Sequence, residues 1–373
     1  MKQNKIWLSS PHMGGSEQKY VQEAFDTNWV APVGKSISAF ENKLVEYLRA
    51  HFVTALQSGT AALHIALKLS GVKNKDIVIC QAHTHIASAN PIIYENAVPV
   101  FIDSEPDTWN MSPELLEQAV KEYLAKGQKP KAIIAVHLYG MPAKMPEIME
   151  IARRYQIPVI EDAAESLGSN INGQMTGTFG DYGILSFNGN KIITTSGGGA
   201  LITKNKTDKQ KAIFWATQAR DEAPHYQHSE IGYNYRMSNV VAGIGRGQME
   251  VLNTRIEQRR ANFDFYREAL GGLPVEIAPP EPAGFFPNRW LTTLLTDSFE
   301  TREKIRLHLA EDEIESRPLW KPMHLQPVFA DAPAYVNGVS GNLFERGLCL
   351  PSGSNLTPED KERIAGALRR VFL

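Results

Sequence analysis

Short, almost wholly apolar runs alternate along the chain with longer segments in which apolar residues recur every three or four positions. The first pattern is typical of buried β-strands, and the second of helices with one buried face. Runs such as Ala132–Val136 contain no polar position, which indicates strands covered by helices on both faces of a sheet. The alternation predicts an α/β domain with a mostly parallel sheet. The predicted strands are 76–80, 98–103, 132–137, 158–162, 183–187 and 199–203, and the predicted helices cover about 14–26, 36–50, 59–70, 112–125 and 144–155.

A long helical pattern from about 238 to 270 marks a change in the organisation of the chain. It ends at Gly271-Gly272, a typical helix stop, and the Pro-rich stretch 278–282 follows. The chain has 373 residues, about twice the length that one hydrophobic core usually organises. We therefore predict two domains. Residues 1–272 would hold an N-terminal segment and a large domain, and residues 273–373 a smaller α+β domain.

Composition excludes several functions. The 39 Lys and Arg against 41 Asp and Glu give a net charge of -2, which disfavours a nucleic-acid-binding surface. No apolar run is long enough for a signal peptide or a membrane span, so we expect a cytoplasmic protein without a membrane partner. The pairs His83/His85 and His225/His228 have no convincing third ligand nearby, so we predict no metal site.

Three motifs with chemical potential fall at the ends of predicted elements. Lys191 follows a strand and precedes hydroxyl residues and three glycines; taken alone, it is better interpreted as a surface lysine in a flexible loop. Asp162 ends an apolar strand, where α/β sheets place ligands, although it would also suit a helix cap. The segment Ser58-Gly59-Thr60 opens a helix, whose first N–H groups attract anions, or it forms a plain N-cap.

Together, in this order on one α/β domain, these motifs favour a pyridoxal phosphate (PLP) enzyme. Such an enzyme needs an anion site for the phosphate, a carboxylate at the ring nitrogen and a Schiff-base lysine. At this point the chain resembles, over nearly its whole length, the PLP-dependent nucleotide-sugar aminotransferases of the DegT/DnrJ/EryC1/StrS family. Further motifs that carry the resemblance are VPVFID at 98–103, HLYGMP at 137–142 and GYNYRMS at 232–238.

The resemblance implies the aspartate aminotransferase fold (fold type I), with a mostly parallel, seven-stranded type of sheet. Lys191 would hold PLP as a Schiff base and act as the catalytic base, and Asp162 would pair with the ring nitrogen. His85 would stack on the ring, and Glu165 would lie beside its phenolic oxygen. Asn234 would reach the phosphate of the other subunit's cofactor, which implies a homodimer with shared active sites. The implied phosphate-binding residues of the same subunit are Gly59, Thr60, Ala61 and Ser186.

Two of these positions depart from the pattern commonest in the family. His85 stands where Phe or Trp is more usual, and a protonated imidazole would place a cation against a ring that already carries positive charge. Glu165 stands where Gln is more usual, and a carboxylate beside a phenolate is unfavourable unless one of them carries a proton. The most similar members of the family also have Glu there, so we interpret it as a subgroup feature.

The late segment 317–324 resembles aminotransferases that act on C4 of a UDP-4-keto-6-deoxy-N-acetylglucosamine, as in the UDP-N-acetylbacillosamine pathway. The resemblance implies L-glutamate as the amino donor and a UDP-4-amino sugar for glycan biosynthesis as the product. Three alternatives remain open: a different nucleotide keto-sugar (dTDP-linked, or aminated at C3), a sugar dehydratase of the same fold, and a non-catalytic binding protein. Lys191 disfavours the dehydratase, whose branch carries His at that position. The implied substrate contacts are Asn190, Arg317, Trp320 and His324, and the arginine for the donor carboxylate stays open among Arg220, Arg236, Arg289 and Arg317.

Overall fold

The computed structural model describes residues 4–372; residues 1–3 and 373, at the outer ends of the two predicted domains, lie outside the described residues. The helices are α1 Glu17–Asp26, α2 Lys35–Leu48, α3 Gly59–Leu69, α4 Asn90–Tyr94, α5 Pro113–Ala125, α6 Met145–Tyr155, α7 Lys206–Ala216, α8 Asn239–Ala269, α9 Phe299–Glu311, α10 Val339–Arg346 and α11 Pro358–Arg370. The strands are β1 Phe52–Leu56, β2 Ile77–Gln81, β3 Val98–Ile102, β4 Ala132–Val136, β5 Val159–Asp162, β6 Asn170–Ile171, β7 Gln174–Met175, β8 Tyr182–Ser186, β9 Gly199–Thr203, β10 Glu276–Ala278, β11 Phe285–Phe286, β12 Thr292–Leu295, β13 Arg317–Pro318, β14 Ala334–Tyr335 and β15 Gly347–Leu350.

Eight strands form the main sheet, in the order β1-β9-β8-β5-β4-β2-β3-β14. Neighbouring strands are parallel except where β9 pairs with β1 and with β8, so β9 alone runs against the others. The predicted mostly parallel sheet is thus confirmed. The eighth strand, β14, comes from the part of the chain after the Pro-rich stretch. It is two residues long, which is too short for a hydrophobic pattern to predict it.

Helices cover both faces of the sheet, which explains why its central strands are apolar throughout. Ile134 of β4 packs with α3 on one face, in a cluster that includes Leu63. Its neighbour Ile133 packs on the other face with Leu116 of α5 and Ile148 of α6. Because successive strand residues point to opposite faces, both sides of β4 must be apolar to remain dry.

A second, antiparallel sheet has the strand order β10-β12-β15-β13 and lies entirely within residues 273–373. Its cluster joins α9, α11 and Tyr266 of α8, and Ile6 from the N-terminal segment packs there beside Ile314. The same stretch also contributes β14 to the main sheet, so the boundary at residue 272 stays a prediction. None of the helices described in residues 4–372 is long and apolar enough to cross a membrane.

Candidate active site

A cavity of about 240 Å³ lies where β5 and β8 end and α3 begins. Parallel strands that end at one edge of a sheet bring their following residues together, and such an edge is the usual ligand crevice of α/β folds. The cavity is lined by Gln57, Ser58, Gly59, Thr60, Leu63, Thr84, His85, Ala87, Ser88, Val136, Asp162, Ala164, Glu165, Ser186, Asn188, Asn190, Lys191, Gly197, Gly198, Trp290 and Trp320.

The start of α3 forms one wall of the cavity. Ser58 caps the helix, and its hydroxyl accepts the N–H of Ala61 at 3.0 Å, so that N–H is already engaged within the chain. The backbone of Gly199 packs so closely here that an added Cβ would lie 2.3 Å from the Ser58 carbonyl carbon. A Cβ on Gly59 would come within 3.2 Å of Ser186 Cβ, which places Ser186 beside the helix start. The wall therefore combines helix N–H groups and hydroxyls with little bulk, as an anion requires.

Asp162 ends β5 and presents a buried carboxylate to the cavity. Its Oδ2 accepts the hydroxyl proton of Ser88 at 2.7 Å, and its Oδ1 accepts the N–H of Ala164 at 3.2 Å. Ser88 Oγ also lies 2.7 Å from Thr84 Oγ1, which extends the hydrogen-bonded chain. Ser88 is a functional candidate that sequence reasoning missed, because nothing in the segment around it suggests a partner 74 residues away.

Lys191 lies in the loop between β8 and β9, and its side chain is mostly buried. The Nζ atom is 3.5 Å from Glu165 Oε1 and 4.2 Å from the centre of the Trp290 ring. Burial raises the pKa of Glu165, against the opposing effects of the Lys191 ammonium and of the Tyr139 N–H that donates to Glu165 Oε2 at 2.8 Å. A carboxyl with a raised pKa holds its proton more readily, which eases the conflict expected beside a phenolate.

His85 forms an aromatic corner of the cavity with Trp320. The two ring centres are 5.3 Å apart in an edge-to-face arrangement, and His85 Nδ1 accepts the N–H of Ala87 at 3.2 Å. Burial, and then the charge of Lys191, lower the pKa of His85 from its ordinary value near 6.5. The imidazole is therefore neutral at neutral pH, and a neutral imidazole can stack without the repulsion expected between a protonated His85 and a positively charged cofactor ring.

The remaining sequence-predicted residues fall into two groups. Asn190 lines the cavity, whereas Asn234 is exposed and outside it, paired in a short bridge with Thr217. Arg317 is exposed, bonds Glu315 at 2.7 Å and borders a different cleft. His324 is partly buried and does not line the cavity. Their proposed roles toward a substrate or a second subunit stay predictions.

None of the four arginines considered for the donor carboxylate lines the cavity. Arg236 bonds Glu41 at 2.6 Å, and the buried Arg289 bonds Glu281 at 3.1 Å. Both guanidinium groups are therefore engaged within the chain. Arg220 is exposed and lies 4.2 Å from the Tyr226 ring.

These groups fit pyridoxal phosphate. The helix start at Gly59 and Thr60 suits its phosphate, Asp162 suits a protonated ring nitrogen, and Lys191 supplies the amine for an imine. All three face one cavity of suitable size. Among residues 4–372, no group of three or more His, Cys, Asp or Glu side chains has the arrangement of a metal site. The fold and the cavity together define a PLP-dependent enzyme of fold type I.

Comparison with known proteins gives the family. The DegT/DnrJ/EryC1/StrS aminotransferase family matches residues 11–369. EpsN of Bacillus subtilis, provisionally named a pyridoxal phosphate-dependent aminotransferase, is 54% identical over 99% of this chain and 96% of its own. A GDP-perosamine synthase of Escherichia coli O157:H7 is 39% identical over 98% of each chain. A DegT DnrJ EryC1 StrS aminotransferase from Brucella abortus has a TM-score of 0.89, with 30% identity over 95% of each chain.

The chain belongs to the DegT/DnrJ/EryC1/StrS aminotransferase family. Aminotransferases of this family bind pyridoxal phosphate, and PLP is the cofactor of this protein. It is a PLP-dependent sugar aminotransferase, a transferase of nucleotide-sugar metabolism, as the sequence predicted at this level.

Proposed function

We propose that this protein moves an amino group from L-glutamate to C4 of a UDP-linked 4-keto-6-deoxy-N-acetylhexosamine. The observation that carries the catalytic part of the proposal is the meeting of Lys191, Asp162 and the α3 start in one cavity. L-Glutamate would become 2-oxoglutarate, and the sugar carbonyl would become an amine. The two half-reactions would follow one another at the same site, as in ping-pong kinetics.

The chain's own residues would orient the reactants and move protons. PLP, when bound, supplies an electron sink for the carbon that loses a proton. Lys191 Nζ would remove the proton from the donor's α-carbon in the first half-reaction, and it would deliver a proton to the sugar carbon that gains the amine in the second. Asp162, oriented by Ser88, would hold the ring-nitrogen proton. Glu165, whose pKa is raised by burial, would lie beside the phenolic oxygen.

The sugar side of the cavity supports the proposed substrate class less directly. Trp320 offers an aromatic wall that suits the apolar face of a sugar or a base. Arg317 would have to leave Glu315 to reach a diphosphate in this cavity. The choice of uridine and of C4 rests on the resemblance of segment 317–324. A second candidate, amino transfer to a GDP-linked sugar, is favoured by the GDP-perosamine synthase that is 39% identical.

A homodimer with shared active sites belongs to the proposal. Asn234 is exposed, and Ile231, three residues earlier, has 80% of its surface exposed. Tyr226 in the same segment is 78% exposed. Large apolar side chains exposed beside a polar one favour a covered surface, and a second copy of this chain would supply the cover. We propose the cytoplasm as the location, where nucleotide sugars are made.

The deciding experiment offers the purified enzyme equimolar UDP-, dTDP- and GDP-linked 4-keto sugars with L-glutamate. Specificity constants are compared, and NMR of the product locates the new amine. Preference for the UDP sugar with an amine at C4 supports the proposal. Preference for another nucleotide, or an amine at C3, overturns the substrate assignment. A deoxygenated product without an amine would identify a dehydratase, and absence of any PLP chromophore would identify a binding protein.

A further inference from the structure

The backbone carbonyl of Asn190, directly before Lys191, receives two hydrogen bonds from distant parts of the chain. The hydroxyl of Ser9, in the N-terminal segment, donates to it at 2.7 Å. The indole Nε1–H of Trp290 donates to the same oxygen, also at 2.7 Å. The Trp290 ring also lies 4.2 Å from Lys191 Nζ, so this side chain contacts both the carbonyl group that precedes the lysine and the tip of the lysine side chain.

Arg259 of α8 donates hydrogen bonds to both of the residues that carry these donors. Its Nη1 donates to the Trp290 carbonyl oxygen at 2.5 Å, and its Nη2 donates to Ser9 Oγ at 2.9 Å. The planar guanidinium suits this task because its two donors have a fixed separation. Ser9 Oγ thus accepts from Arg259 while it donates to Asn190, which leaves its hydroxyl a single orientation.

The burial of Arg259 needs an explanation. The residue is 1% exposed, and both of its hydrogen bonds go to neutral oxygens rather than to a carboxylate. A buried charge is costly unless hydrogen bonds compensate it. Burial lowers the pKa of Arg259 to about 9, so the group still carries its charge at neutral pH.

We propose that Ser9, Trp290 and Arg259 form a clamp that positions Lys191, with Arg259 fixing the two donors that fix the Asn190 carbonyl. The inference rests on the proposed role of Lys191 as the cofactor lysine. Ser9, Trp290 and Arg259 are positioning residues, since they act through the peptide that precedes the lysine. Because two donors share one acceptor, either of them alone holds the loop, and only the loss of both releases it.

The test follows the reaction of the PLP-free protein with added PLP by stopped-flow absorbance, without any amino donor or sugar. Ser9→Ala and Trp290→Phe are compared singly and together. A hydrogen bond of this kind is worth at most about tenfold. We expect each single variant to react about threefold more slowly, and the double variant at least about thirtyfold more slowly. The visible circular dichroism of the bound cofactor should weaken in the double variant only.

Matched controls separate positioning from general damage. Ser10→Ala with Trp109→Phe removes a neighbouring hydroxyl, which bonds Asn355, and a tryptophan of the same apolar cluster that does not line the cavity. That pair should react at the parent rate. Arg259→Lys keeps the charge but reaches only one of the two oxygens, so it should slow the reaction about threefold, as the loss of one donor does. Thermal unfolding of each PLP-free variant verifies that it is folded.

The outcomes distinguish this inference from the function on which it rests. Borohydride reduction followed by mass spectrometry must place the label on Lys191 in the parent protein. A label elsewhere overturns the proposed function and the clamp together. If the label lies on Lys191 and the fold-reduction in rate of the double variant does not exceed the product of the two single fold-reductions, the clamp alone is overturned. If the double variant fails to fold, a parent-like rate in Arg259→Lys overturns the clamp, and a slowed rate there supports it.

Discussion

Replacing Ser88 by alanine removes its hydrogen bond to Asp162 and its hydrogen bond with Thr84 Oγ1. The Ser88 hydroxyl donates to Asp162 Oδ2 at 2.7 Å, inside a region that is almost fully buried. The carboxylate keeps the Ala164 N–H on its other oxygen, so the variant should loosen Asp162 without freeing it. Ser88→Ala therefore tests whether the orientation of this carboxylate matters for the cofactor.

The structure sets the size of the expected effect. A hydrogen bond to a charged group contributes about 1.5–3 kcal/mol, more than a bond between neutral groups. The remaining bond from Ala164 places Ser88→Ala near the lower end, at about 1.5–2 kcal/mol. Since each 1.4 kcal/mol is tenfold, the dissociation constant for PLP should rise, or the turnover number should fall, by about 10- to 30-fold.

The assay measures the PLP dissociation constant and the turnover number for Ser88→Ala, Asp162→Asn and the double variant. Asp162→Asn should keep the fold and lose most activity, and adding Ser88→Ala to it should cost much less than in the parent. Ser70→Ala is the control, because its hydroxyl bonds Ala66 O at the far end of α3. Parent-like values for Ser88→Ala would refute the reasoning, and near-normal turnover in Asp162→Asn would assign the ring nitrogen to another residue.

Four further predictions follow from the site. Lys191→Ala should still bind PLP, but it should form no imine that borohydride can reduce and should show no turnover. Absorbance spectra and mass spectrometry after borohydride treatment measure the imine. PLP affinity of the parent should fall as the pH drops through the lowered pKa of His85, whereas His85→Phe should lose this dependence. Because the pKa of Glu165 is raised in the folded state, the PLP-free parent should lose stability relative to Glu165→Gln as the pH rises above about 4.5, measured by thermal unfolding. Mixing inactive Lys191→Ala and Asn234→Ala subunits should restore activity; no recovery despite verified subunit exchange would contradict shared sites.

The sequence predicted those parts of the site that follow from strand ends and helix starts. Asp162, Lys191 and the α3 start each sit where an apolar run stops, and parallel topology brings such positions to one edge. The predicted helices and strands agree with the structure to within about three residues, and the family confirms the fold that the motifs implied. These features could be predicted from local sequence patterns because each pattern lies within a single element and its flanking turn.

Contacts between distant segments were beyond the reach of the sequence. Ser88 meets Asp162 across 74 residues, and Ser9 meets Asn190 across 181. A single serine forms no periodic sequence pattern from which a hydrogen-bond partner so far along the chain could be predicted. The sequence did not distinguish β1, because its five residues resemble many short apolar runs.

The placement of the cavity walls has a consequence for how such enzymes diversify. The start of α3, Asp162 and Lys191 all lie between residues 57 and 199, whereas Trp290 and Trp320 come from the later part of the chain. The close backbone approach of Gly199 to Ser58 joins the start of α3 to the end of the loop that carries Lys191, without any contribution from that later part. Substitutions in the wall around Trp320 can therefore change the acceptor side of the cavity while Asp162 and Lys191 stay in place.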